Sequence, residues 1–152
     1  MPWTGLNCWI HGLSFHRIQV TSADAAVAYV EHNLARLGLC GSDSLHATEL
    51  CEGKINYVYC VCCRPQTQVH GNRAEETVCF VLKYAPPYVK SMGEGNLSLD
   101  QGRLGVEAAA MARVHALCPQ HCPRLMLHDA PAFVIIQEYL SSHIKLTMAI
   151  HR

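Results

Sequence analysis

The chain has 152 residues, half of them hydrophobic, which is enough for one buried core and about the length of an ordinary domain. Twelve Lys and Arg balance twelve Asp and Glu, and no basic run occurs, which argues against nucleic acid or an anionic membrane surface as a partner. Apolar stretches such as Tyr57 to Cys63 fall far short of the roughly 20 residues of a membrane span. Nine cysteines, several within apolar runs and with no signal-peptide hydrophobic region before them, read as free thiols in a reducing compartment, and the cytoplasm is the expected location.

Residues 1–20 contain no acid and are left as an unassigned extension, with an organelle transit peptide as the alternative. Thr21-Ser22-Ala23-Asp24 opens an Ala/Val/Leu-rich stretch that ends at Leu37 before Gly38, which predicts a capped helix and its stop. Leu45 to Leu50 is a weak strand candidate and Ile55 to Cys63, dense in Tyr, Val and Ile, a strong one. After a polar connector, Glu76 to Tyr84 alternates, with Val78, Phe80 and Leu82 on one face and Cys79, Val81 and Lys83 on the other. Pro86 and Pro87 stop that strand. Ser98 followed by Gln101 suggests a capping box for a second helix running to about Leu117. Arg124 to His128 and Ala132 to Tyr139 predict two short strands around Asp129-Ala130-Pro131. The expected architecture is an α+β fold: a twisted antiparallel sheet of about five strands with one principal packed helix and an extra amino-terminal helix.

Two charged side chains fall where burial is expected. Glu107 shares a helix face with Leu104, Ala108 and Met111, and Lys83 shares a strand face with Val81 and Cys79. Neither group is buried unpaired without a large penalty, so the economical arrangement brings them together. A strand lysine held by a helix glutamate is how protein-kinase-like folds hold ATP phosphates. The plainer alternative leaves both in solvent. Between Glu49 and Tyr59 a single glycine, Gly53, joins two strands, and this is read first as a turn and second as a phosphate cover.

The succession Glu52-Gly53-Lys54-Ile55-Asn56-Tyr57-Val58-Tyr59, then Val81-Leu82-Lys83-Tyr84-Ala85-Pro86-Pro87-Tyr88-Val89-Lys90, then Gly93-Glu94, then Arg103-Leu104-Gly105-Val106-Glu107-Ala108 resembles methylthioribose kinase. The resemblance runs from about Ala23 to Ile150 and is confined to that family's amino-terminal lobe. It implies a protein-kinase-like, aminoglycoside-phosphotransferase-like fold and MgATP-dependent phosphorylation of 5-methylthioribose in methionine salvage. It further implies that Asn56 contacts nucleotide, that Lys83 binds phosphate with Glu107 orienting it, and that the hinge Glu138, Tyr139 and Leu140 holds the adenine edge. Residues 21–140 would form the lobe and residues 141–152 the exit from the hinge.

Three departures from the family accompany the match. The turn Cys51-Glu52-Gly53-Lys54 keeps one glycine, and Gly95-Asn96 stands where the family has a Ser-Trp-Pro loop. No His-Gly-Asp catalytic segment and no acidic magnesium motif occurs, so no catalytic residue is named and little kinase activity is expected of this polypeptide by itself. Two other readings remain. One is a non-catalytic nucleotide-binding or partner-docking module, prone to self-association through an exposed lobe face. The other is a zinc site from Cys60, Cys62 and Cys63 or from Cys118, His121 and Cys122 with His115; strand alternation opposes the first set by sending Cys63 to the face away from Cys60 and Cys62.

Overall fold

Ser22 begins the described amino-terminal helix because its side chain can do what the first backbone donors need. In the computed structural model, which describes residues 19–39, 42–50, 53–65 and 77–140, Ser22 Oγ accepts from Ala25 N–H at 3.1 Å. Helix α1 spans Ala23–Asn33 and a 3-10 turn follows at Ala35–Leu37. The α-helix ends four residues short of the expected Leu37, but the stop at Gly38 forms as expected: Gly38 takes φ 72°, and the N–H groups of Gly38 and Leu39 close on the carbonyls of Ala35 and Leu34.

Strands β1 (Ser42–Glu49), β2 (Tyr57–Pro65), β3 (Val78–Tyr84), β4 (Leu125–Asp129) and β5 (Val134–Glu138) form one sheet in the order β1-β2-β3-β5-β4, every neighbouring pair antiparallel. With two helices this is the α+β fold expected, consistent with a kinase-like amino-terminal lobe. No helix among the described residues is long and apolar enough to cross a membrane.

Each sheet face meets one helix. Tyr59, Val61, Phe80, Leu82, Val134 and Ile136 pack with Ala26, Tyr29 and Val30 of α1. The alternate positions face the other way, where Ala85 and Ile135 pack with Leu104 and Ala108 of helix α2, Arg103–Leu117. Tyr29 Oη donates to Asp129 Oδ2 at 2.7 Å and Arg36 adds a bond to the same oxygen at 3.0 Å, so α1 is fastened to the far edge strand as well as to the core. The buried Tyr59 hydroxyl has no hydrogen-bond partner among the described residues.

Two expectations need correction. The capping box at Ser98 and Gln101 does not form: Ser98 bridges Tyr88, Leu99 N–H donates to Pro87 O, and Gln101 Nε2 donates to Ala85 O at 2.7 Å. The chain is thus held extended until Asp100 Oδ1 accepts from Gly102 N–H at 3.0 Å, and α2 starts at Arg103. The free-thiol reading also fails for one pair. Cys62 and Cys79 are disulfide-bonded, because β2 and β3 pair them directly opposite with their Cα atoms 4.1 Å apart. Cys60, Cys63, Cys118 and Cys122 are free, and burial pushes the thiols of Cys60 and Cys63 up.

Candidate functional site

Antiparallel register sets His128, Ile135, Lys83 and Val58 directly opposite one another across β4, β5, β3 and β2. Opposed residues share a face, and this is the face that α2 covers: Ile135 packs on Leu104 and Ala108, and a Cβ at Gly105 would lie 3.9 Å from the His128 ring. Lys83 therefore emerges beneath α2, where its ammonium forms an ion pair with the Glu107 carboxylate. Both side chains are partly buried, and the geometry brings together the two charged residues singled out by pattern.

Arg103 stands one helical turn before Glu107, about 6 Å along the axis and on the same side of α2. Its Nε and Nη2 donate to Asn56 Oδ1 at 3.3 and 2.8 Å, Nη2 also to Pro86 O at 2.9 Å, and Nη1 to Asp100 O at 2.6 Å. One face of α2 thereby holds the 53–56 turn through Asn56 and strand β3 through Lys83. Burial lowers the Arg103 guanidinium from its ordinary value while the Asp100 carboxylate opposes the shift, and the group keeps its charge at neutral pH. Arg103 was not singled out as a site residue. Its sequence signal was there to be read, four positions before Glu107 on the same helix face.

The turn that carries Asn56 approaches its own backbone closely. A Cβ at Gly53 would meet Asn56 O at 2.6 Å, so only glycine fits without movement. Ser91 N–H donates to Lys54 O at 2.8 Å and Lys90 N–H to Ile55 O at 3.3 Å. Lys90 also pairs with Glu49, its ammonium 4.9 Å from the Tyr57 ring centroid. The Lys90–Glu49 pair spans 41 residues of sequence and carried no local signal. Cys51 and Glu52, the other part of the predicted turn, lie outside the described residues.

The hinge candidates stand apart from this cluster. Glu138 pairs with Phe80, three positions from Lys83 on β3 and so about 10 Å along the strand. Its N–H donates to Arg124 O at 2.9 Å and its carboxylate accepts from Arg124 N–H at 3.1 Å, so both groups are turned to β4. Tyr139 and Leu140 follow, both exposed. Of the two cysteine and histidine sets read from the sequence, neither converges among the described residues. Cys63 is buried on the face away from Cys60, and His115 Nδ1 lies 2.9 Å from Cys122 O while Cys118 Sγ donates to Val114 O at 3.3 Å.

No family model matches the chain. Relatives of known name do. Methylthioribose kinases of Yersinia pseudotuberculosis serotype O:1b (strain IP 31758) and Yersinia enterocolitica serotype O:8 / biotype 1B are 41% identical over 64 residues, covering 41% of this chain and 15% and 16% of those proteins. The methylthioribose kinase of Pectobacterium carotovorum subsp. carotovorum is 33% identical over 98 residues, covering 64% of this chain and 22% of that protein. The chain is similar to methylthioribose kinases over part of its length. It spans between 15% and 22% of the length of the curated relatives it matches.

Proposed function

We propose that this chain is the ATP-gripping lobe of a small-molecule kinase of the methylthioribose kinase type. The observation that carries the reading is the Lys83–Glu107 ion pair, formed by a central strand and the helix packed on it. A lysine ammonium has three donors and Glu107 takes one, leaving the others to meet phosphate oxygens with the charge fixed in place. Val58 and Val81, on the same sheet face as Lys83, offer an apolar bed for a base, and the exposed ends of Tyr139 and Leu140 would border its edge. The residues present thus fit a nucleoside triphosphate, whose γ-phosphoryl group is what such a kinase transfers.

Asn56 reaches this site as a member of the turn above it, held by Arg103, and in this reading it steadies the turn over the phosphates. In this reading magnesium would be held by the nucleotide's phosphates together with one or two carboxylates outside the described residues. The substrate, methylthioribose by the names of the relatives, would also be recognised outside them. Residues 21–140 would act as one lobe, with the 152-residue chain binding nucleotide without turning it over.

Equilibrium titration of MgATP onto the purified chain tests the reading. Binding should weaken at least tenfold in Lys83→Met and stay unchanged in Arg113→Met, which removes an exposed charge on α2 six residues, about 9 Å, beyond Glu107. Absence of ATP binding in the unaltered chain, or equal binding by Lys83→Met, refutes it. Turnover of methylthioribose by this chain by itself would overturn the division between a gripping lobe and a separate catalytic part.

A further inference from the structure

The disulfide has a third sulfur beside it. Cys60 Sγ lies 3.9 Å from Cys62 Sγ, and the sulfurs of Cys60, Cys62 and Cys79 all fall within 4.8 Å of one another. Strand geometry accounts for the grouping. Cys60 and Cys62 are two apart on β2 and share a face, and Cys79 on β3 is the direct partner of Cys62. All three are partly exposed, so a solute reaches them. They share the sheet face of Lys83: Cys79 is four residues from it along β3, about 13 Å, and Cys60, opposite Val81, is two residues from that level, about 7 Å along the strand.

Four thiolates or imidazoles around zinc at about 2.3 Å per Zn–S bond put neighbouring sulfurs about 3.8 Å apart. The Cys60–Cys62 separation already matches this, and opening the Cys62–Cys79 bond frees the other two sulfurs to spread to it. We propose that, once Cys62–Cys79 is reduced, Cys60, Cys62 and Cys79 form a three-thiolate site for a thiophilic divalent cation of the zinc class. A small-molecule dithiol supplies the two electrons: it becomes a cyclic disulfide and Cys62 and Cys79 become thiols. The cation then replaces the three thiol protons, which go to solvent, and Zn–S bonds form in place of S–H bonds. The fourth position is taken by water, since the three sulfurs are partly exposed. Oxidation and metal binding exclude each other, because the disulfide consumes two of the three ligands. Cys60 adjoins Val58 and Val81 on that face, but none of the three ligands takes part in the Lys83–Glu107 pair, so cobalt binding is read separately from ATP binding.

Cobalt serves as the spectroscopic probe. The full chain, reduced anaerobically with a phosphine and titrated with Co2+, should develop a thiolate-to-cobalt charge-transfer band that saturates at one ion per chain, and zinc should bleach it. The same titration of the oxidised chain should give at least tenfold less band. Cys60→Ser and Cys79→Ser should each reduce the band by at least half, while Cys118→Ser and Cys122→Ser leave it unchanged, with circular dichroism confirming that each variant is folded. No band in the reduced unaltered chain overturns the proposal without recourse to any variant. So does a band that survives Cys79→Ser, or one that is lost in Cys118→Ser or Cys122→Ser.

Discussion

Neutralising either end of the Lys83–Glu107 pair, with Lys83→Met and Glu107→Gln, removes charge while nearly conserving volume. The Lys83 and Glu107 side chains are 21% and 35% exposed. A pair sealed from water couples by several kcal/mol because losing one partner strands the other charge. Here water still reaches both ends, so screening and the entropy of two long side chains leave a coupling of about 0.5–1 kcal/mol at low salt. A double-mutant cycle from urea denaturation of the four proteins measures it, and at high salt the coupling should fall to about half. A coupling above about 3 kcal/mol would mean that the pair is desolvated and that the exposure-based argument is wrong. A coupling of zero would mean that screening and side-chain entropy cancel the attraction completely, against the ~0.5–1 kcal/mol expected.

Three further outcomes follow from other parts of the fold. For Asp129, burial alone would raise the carboxyl, but hydrogen bonds from Tyr29, Arg36 and Ala132 N–H and the Arg36 charge together hold it below its ordinary value. Its folded value lies under its unfolded one, so it stabilises above the unfolded carboxyl range and that contribution is lost as pH falls through the folded value. Asp129→Ala should lower stability by about 2 kcal/mol at pH 7 by denaturant titration, and the difference from the unaltered chain should shrink below about pH 4. Tyr59→Phe removes a buried hydroxyl with no partner among the described residues and should raise stability by about 1 kcal/mol; a loss of that size would show that the hydroxyl is hydrogen-bonded after all. Gly53→Ala drives a Cβ into Asn56 O and should cost about 1–3 kcal/mol by thermal melting and weaken ATP binding, whereas an unchanged melt would mean that the turn relaxes freely.

The helices and strands were legible because their signals are local. Ser22 and Gly38 bracket α1 by cap chemistry, and the alternation of Val78 to Tyr84 reports a strand with two different faces. The Lys83 and Glu107 charges were legible as a pair only through the penalty on leaving each buried alone, a constraint written in one dimension by the pattern around each residue.

What the sequence by itself determined, then, is which stretches form elements and which residues each element turns inward, since backbone periodicity fixes both. The order β1-β2-β3-β5-β4 and its register were decided by tertiary structure, and with them everything that depends on neighbours distant in the chain. Register set Cys79 opposite Cys62 and turned two expected thiols into a disulfide. The return of the chain after Pro87 claimed Gln101 for Ala85 O and moved the start of α2 from the region of Ser98 to Arg103. Arg103 could then reach Asn56, 47 residues earlier, and Lys90 could reach Glu49. Side-chain hydrogen bonds and ion pairs act over a few ångströms, so partners tens of residues apart become visible only once the sheet has placed them side by side.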